Sequence, residues 1–142
     1  MGYKAKFKVW RGDDTGGGLE DFEVDVNEGE VVLDIVHRLQ ATDAPDLAVR
    51  WNCKAGKCGS CSAEINGRPR LMCMTRMDEL PANEPVTVEP MRAFPHVRDL
   101  VTEVSWNLEV KKKIRKFKPR APDAPEGTWR MDQVDVDRVQ EF

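Results

Sequence analysis

Cys53-Lys54-Ala55-Gly56-Lys57-Cys58-Gly59-Ser60-Cys61, with the one further cysteine that follows it, Cys73, decides how the chain is read. The spacing is C-x4-C-x2-C, then eleven residues, then C, and it takes in all four cysteines of the chain. Structural zinc typically uses two Cys-x-x-Cys knuckles about a dozen or more residues apart. This chain has one knuckle, Cys58 to Cys61, and an extra cysteine five positions earlier. Disulfides would suit a secreted chain, but Met1-Gly2-Tyr3-Lys4-Ala5-Lys6-Phe7-Lys8 reads as neither an apolar leader core nor a cleavage site.

The spacing is that of a plant-type 2Fe-2S centre. Two irons bridged by sulfide need four thiolates on opposite sides of a flat rhomb. A tight loop can supply Cys53, Cys58 and Cys61, and a neighbouring strand Cys73. Such a loop must bend sharply and bring backbone N–H groups close to sulfur, which calls for residues without a side chain; Gly56 and Gly59 supply them. The oxidised centre carries about two negative charges and gains one more on reduction, so cations and hydrogen-bond donors favour the reduced form. Lys54 and Lys57 inside the loop, with Arg50 and Arg76 just outside, are candidates for that effect, although each taken singly reads equally as a solvated cation.

Charge narrows the class further. The net charge of −3 over 142 residues hides an asymmetry: residues 111–120 (KKKIRKFKPR) hold seven of the 22 basic residues and no acidic one, leaving 15 basic against 25 acidic elsewhere. An acidic body with one basic segment does not read as a nucleic-acid binder. The basic run reads as a solvated segment or one lying on an acidic partner, with contact to anionic lipid as the sharper alternative. No run reaches the length of a transmembrane span, so membrane association is expected to go through a partner.

Outward from the cysteine loop, the chain reads as α+β. Tyr3, Ala5, Phe7 and Val9 alternate with lysines, and Phe22, Val24 and Val26 with Glu23 and Asp25, predicting a hairpin of two strands joined by a flexible turn over residues 13–18. The three glycines of that turn invite a phosphate-loop reading, which the absence of a following Gly-Lys-Ser/Thr disfavours. Val32, Ile35, Val36 and Leu39 predict an amphipathic helix over 31–40, with His37 off its apolar stripe and exposed. Ser62–Ile65 and Arg70–Cys73 flank Asn66-Gly67 as a hairpin with a loop lengthened through Arg68-Pro69, folding Cys73 back toward the other cysteines. Met72 and Met74 then face the core, opposite the Cys73 sulfur. Val86–Val88 reads as a last strand. These elements fit a β-grasp, ferredoxin-type domain over residues 1–92.

Residues 93–118 read as an amphipathic helix from about Pro95 to Lys113, followed by the basic segment. Val97, Leu100, Val101, Val104 and Leu108 form one apolar stripe, with Trp106, Val110 and Ile114 on the opposite side. One face is expected to lie on the domain and the other on something outside it. His96 reads as a capping or surface residue at the helix start. Residues 119–142 read as a Pro-rich linker and then a helix just beginning, with Val136, Val139 and Phe142 at helical spacing, which suggests the start of a further, truncated helical domain.

With these residues in view, the chain resembles the iron-sulfur subunit of succinate dehydrogenase and fumarate reductase over essentially its whole length. The carriers are the Cys53 to Cys61 loop, Ile65-Asn66-Gly67 with Cys73, and Phe94-Pro95-His96-Val97-Arg98-Asp99-Leu100-Val101. Gly127-Thr128-Trp129-Arg130 and Asp137-Arg138-Val139-Gln140-Glu141-Phe142 add to it. The resemblance implies an electron-transfer subunit with Cys53, Cys58, Cys61 and Cys73 as 2Fe-2S ligands. Single electrons would come from the FAD of a flavoprotein subunit and go toward quinone. It implies membrane-anchor subunits as further partners, and 4Fe-4S and 3Fe-4S clusters only in a second domain whose cysteines this sequence lacks. It also implies a peripheral place on the cytoplasmic face of the membrane, with the unadorned N-terminus favouring a prokaryotic source. No residue reads as an acid or base acting on succinate, so no catalytic residue is expected in this chain. A free 2Fe-2S ferredoxin carrier is the alternative, against which the second apolar face of the long helix argues.

Overall fold

Alternation at Phe7 and Val9 builds the strand on which the rest of the sheet hangs. In the computed structural model, which describes residues 2–115 and 133–140, β1 (Tyr3–Asp13) pairs antiparallel with β2 (Gly16–Val26) along its full length, Tyr3 opposite Val26 and Asp13 opposite Gly16. Phe7 and Val9 are fully buried, while Lys4 and Lys8 lean across to Glu23 and Asp21 on β2. The 13–18 turn is shorter than expected. Only Asp14 and Thr15 separate the strands, and the Asp13 carboxylate accepts a hydrogen bond from the Thr15 N–H at 2.9 Å. The three glycines belong to β2, where a Cβ on Gly17 would strike the Arg11 carbonyl and the Trp10 ring. Gly17 thus permits close strand approach, while a Cβ on Gly16 or Gly18 would meet open space.

Helix α1 (Val32–Ala41) crosses the sheet and buries Val32, Leu33, Ile35, Val36 and Leu39, the expected stripe with Leu33 added. Then β3 (Ser62–Ile65) and β4 (Arg68–Leu71) form a hairpin whose loop is Asn66-Gly67 alone, Ile65 pairing with Arg68. The expected lengthening through Arg68-Pro69 does not occur, because Asn66 and Gly67 take φ of 49° and 74° and close a two-residue turn by themselves. Next, β5 (Val86–Glu89) runs parallel to β1 and antiparallel to β3. The buried side chains of α1 and of β1, β3 and β5 form one core, the α+β β-grasp arrangement expected from the sequence.

The long helix from Pro95 is a misreading that the structure corrects. Residues 96–102 instead form a small hairpin, β6 (His96–Arg98) and β7 (Val101–Thr102), that joins the sheet beside β1, and a helix, α2 (Ser105–Lys113), starts only afterwards. Asp99 between the two strands takes φ of 47°, a left-handed conformation that no helix interior tolerates. The β-branched residues behind the apparent stripe serve a strand equally well, and Val97 is in fact exposed. His96 is a strand residue, its ring edge-on to Trp10. No residue of α2 is buried; Trp106 and Leu108 are exposed. The chain divides into two units, Met1–Trp106 and Asn107–Phe142. In the second lies α3 (Gln133–Gln140). The end of the basic run and the Pro-rich linker lie outside the described residues.

Arg38 ties α1 to β2 and to the turn that precedes the helix. Arg38 donates to Glu30 and to the Asp25 carbonyl, and this holds the Glu30 carboxyl down to about 2. The folded value lies below the ordinary one, so the stability it contributes is complete above about pH 4.5 and is lost as pH falls toward 2. Glu30→Gln is therefore expected to lower the free energy of urea unfolding by about 1 kcal/mol at neutral pH, discounted for solvent screening of a partly exposed pair. The difference from the parent chain should vanish near the acid end of a pH series. In the core, Phe7→Ala should cost about 3–5 kcal/mol in the same titration.

Candidate metal centre

Left-handed backbone at Lys54, Gly56 and Gly59, with φ of 54°, 67° and 72°, curls the 53–61 segment into a loop whose N–H groups turn toward sulfur. The Cys53 Sγ accepts from the N–H groups of Ala55, Lys57 and Cys58 at 3.3–3.4 Å. Ser60 N–H donates to Cys58 Sγ, and Cys73 N–H to Cys61 Sγ, each at 3.4 Å. Gly56 is needed for space as well as conformation, since a Cβ there would press on the Met74 side chain at 3.0 Å. Lys54, a side-chain-bearing residue in the left-handed region, was not legible as such.

Side-chain hydrogen bonds sort the thiols into two pairs, Cys53 with Cys58 and Cys61 with Cys73. All four are free thiols; the first pair is half-buried to exposed and the second is buried. Among the described residues no three His, Cys, Asp or Glu side chains gather to hold a metal ion. Two thiol pairs suit a binuclear centre, which takes two thiolates at each iron. Hydrogen bonding from the Ser60 side chain, helped by N–H donors, lowers the Cys58 thiol to about 6, so it is largely thiolate at neutral pH. Burial raises the Cys61 thiol.

Each stretch that carries a cysteine is anchored by a different element. Cys73 sits in a turn after β4, not on the strand expected for it. That turn lies on the start of α1, whose first free N–H groups, on Val32 and Leu33, donate to the carbonyls of Thr75 and Met72 at 2.9 and 3.1 Å. The turn also breaks the alternation assumed for the methionines: Met72 is buried as expected, but Met74 is 57% exposed beside the loop. His37 is likewise not a plain surface residue. It packs edge-on against Trp51, its ring centroid 4.7 Å away, and Lys54 lies over the Trp51 face at 4.8 Å. Burial lowers the His37 pKa, with Lys54 adding to the effect. Neither the Trp51 contact nor Ser60 carried any sequence signal.

Comparison with known proteins agrees with this geometry. The model of the 2Fe-2S iron-sulfur cluster binding domain matches residues 6–109. A fumarate reductase iron-sulfur subunit from Mycobacterium tuberculosis is 35% identical over 127 residues, covering 87% of this chain and 51% of the relative. A succinate dehydrogenase iron-sulfur subunit from Coxiella burnetii is 33% identical, covering 76% of this chain and 46% of the relative. A chain of the solved Mycobacterium smegmatis Sdh1 complex in the apo form superposes with a TM-score of 0.89 at 66% identity, covering 99% of this chain and 59% of that one. The chain thus spans about half the length of the curated relatives it matches. With the cysteine spacing, the N–H donors trained on sulfur and a matched span of residues 6–109, the chain belongs to the 2Fe-2S iron-sulfur cluster binding domain family.

Proposed function

We propose that this chain is the 2Fe-2S portion of the iron-sulfur subunit of a succinate dehydrogenase, with Cys53, Cys58, Cys61 and Cys73 as ligands. Single electrons would arrive from the FAD of a flavoprotein subunit and leave toward 4Fe-4S and 3Fe-4S clusters of a second domain and then quinone. Fumarate reductase is the same apparatus run in the opposite direction. The observation that carries the reading is the sorting of four free thiols into two pairs, with five N–H groups donating to sulfur. When bound, the cluster supplies one-electron chemistry, and the chain's residues set where and how readily it operates.

Those residues divide the work by exposure. Donors to Cys53 and Cys58 stabilise negative charge on the accessible thiol pair, while the buried pair anchors the site. Lys54 and Lys57 add positive charge at the loop tip, which favours docking on an acidic surface of the electron donor. Exposed Trp106 on α2 supports attachment within a larger assembly over a freely diffusing ferredoxin. Among the described residues no helix is long and apolar enough to cross a membrane, which fits a peripheral subunit held by anchor subunits, proposed to lie on the cytoplasmic face.

Anaerobic EPR of the reconstituted chain tests the ligand set. A rhombic signal of about one spin per chain should appear only after dithionite. Cys73→Ser should abolish that signal or change its g values, and a colourless zinc-loaded chain would refute the assignment. For the partner, Lys54→Glu with Lys57→Glu should reduce co-purification with the flavoprotein subunit, and unchanged recovery would count against docking through the loop tip. Turnover of the assembled complex with succinate and with fumarate fixes the direction.

A further inference from the structure

The segment that enters the cysteine loop has no ladder of its own. Residues 47–53 lie in neither helix nor strand, yet Leu47 is buried, so the segment's backbone groups must find partners elsewhere. Gln40 Nε2 donates to the Leu47 carbonyl at 2.8 Å. Leu47 N–H donates to the Ala44 carbonyl at 3.1 Å. Beyond Leu47 the bonds come from the β6–β7 hairpin. Asp99 Oδ2 accepts from Ala48 N–H at 2.8 Å, Leu100 N–H donates to the Ala48 carbonyl at 3.2 Å, and Arg50 Nη1 donates to the Thr102 carbonyl at 2.9 Å.

Asp99 is the hub of this hairpin. Its residue is 2% exposed, and its second carboxylate oxygen accepts from Gly12 N–H at 2.9 Å and Arg11 Nε at 3.3 Å. Its own N–H donates to the Gly12 carbonyl at 2.7 Å, and its carbonyl accepts from His96 Nε2 at 2.8 Å. Arg11 also reaches Asp46 at 2.8 Å, so one guanidinium joins Asp99 to the residue just before the segment. A buried charge costs folding energy unless every bond it makes is kept, and here those bonds converge on the loop entrance.

We propose that Asp99 is a positioning residue for the iron-sulfur centre. By holding Ala48, it sets where the chain enters the loop, and with that the placement of Cys53 and of the N–H donors trained on its sulfur. The proposal rests on the assignment of Cys53 as a ligand. A carboxylate is required because one oxygen serves Ala48 and the other Gly12 and Arg11; an amide would turn N–H against one of these donors.

The test compares Asp99→Asn with Val24→Ala, a truncation of a buried β2 side chain, in the full chain loaded with its cluster. Three quantities are read at a temperature where circular dichroism shows both variants folded: the midpoint potential, the g values of the reduced signal, and the rate of iron loss to a ferrous chelator. Asp99→Asn is expected to lose iron about tenfold faster and to shift the potential and g values. Val24→Ala should match the parent chain in all three. If the two variants behave alike, the proposal is overturned. Should Asp99→Asn fail to fold, Arg11→Lys, which keeps the charge and loses the fork, must show the same effects in smaller measure or the proposal falls. A parent chain that loads no cluster would fell the ligand assignment and the proposal with it; only the contrast between variants speaks to Asp99 alone.

Discussion

A sulfur that is to carry metal-borne negative charge needs N–H groups aimed at it, and N–H groups aimed at sulfur are no longer available to a helix or a sheet. The 53–61 loop satisfies that demand by taking left-handed backbone at Lys54, Gly56 and Gly59. Its consequence is that the loop has no internal ladder to hold it. What keeps the four thiols in place must come largely from outside the loop.

The loop's entrance and the separate Cys73 turn are held in different ways. The Cys73 turn rests on the N-terminus of α1, where Val32 and Leu33 N–H groups would otherwise lack acceptors, so one set of bonds completes both the helix and the turn. The entrance at Leu47 to Arg50 rests on the β6–β7 hairpin, through backbone bonds at Ala48 and the buried carboxylate of Asp99. Helix α1 is in turn fixed by five buried apolar side chains and by the Arg38 to Glu30 pair. The core therefore serves the site chiefly by making these anchoring groups rigid.

Ionisation at the site follows the same layout. Cys58, open to solvent and bonded by Ser60, deprotonates more readily than Cys61, whose burial holds it protonated to higher pH. Loading metal at Cys61 displaces a proton that burial favours, while Cys58 is already inclined to the thiolate a metal requires. Two residues before Cys53, Trp51 takes the His37 ring edge-on and Lys54 over its face, giving the loop entrance a flank that is aromatic and cationic together.

The cysteine spacing, the two glycines, the alternation of β1 and β2 and the stripe of α1 were legible in the sequence because each is a local pattern with one physical meaning. Asn66-Gly67 announced a turn, which left-handed backbone at both residues closes within two residues. Other features could not be read locally. Val97, Leu100 and Val101 suit a helix stripe and a strand alike, and the choice fell to Asp99, whose left-handed backbone is sustained by bonds to Gly12, Ala48 and His96, as far as 87 residues away in the chain. Met74 was assigned to the core by an alternation that the turn at Cys73 ends. Sequence by itself determined the chemistry of the site, because four cysteines at that spacing are a short-range fact. Only the tertiary structure decided how the site is held, because its anchors are side chains and carbonyls that come together through folding alone.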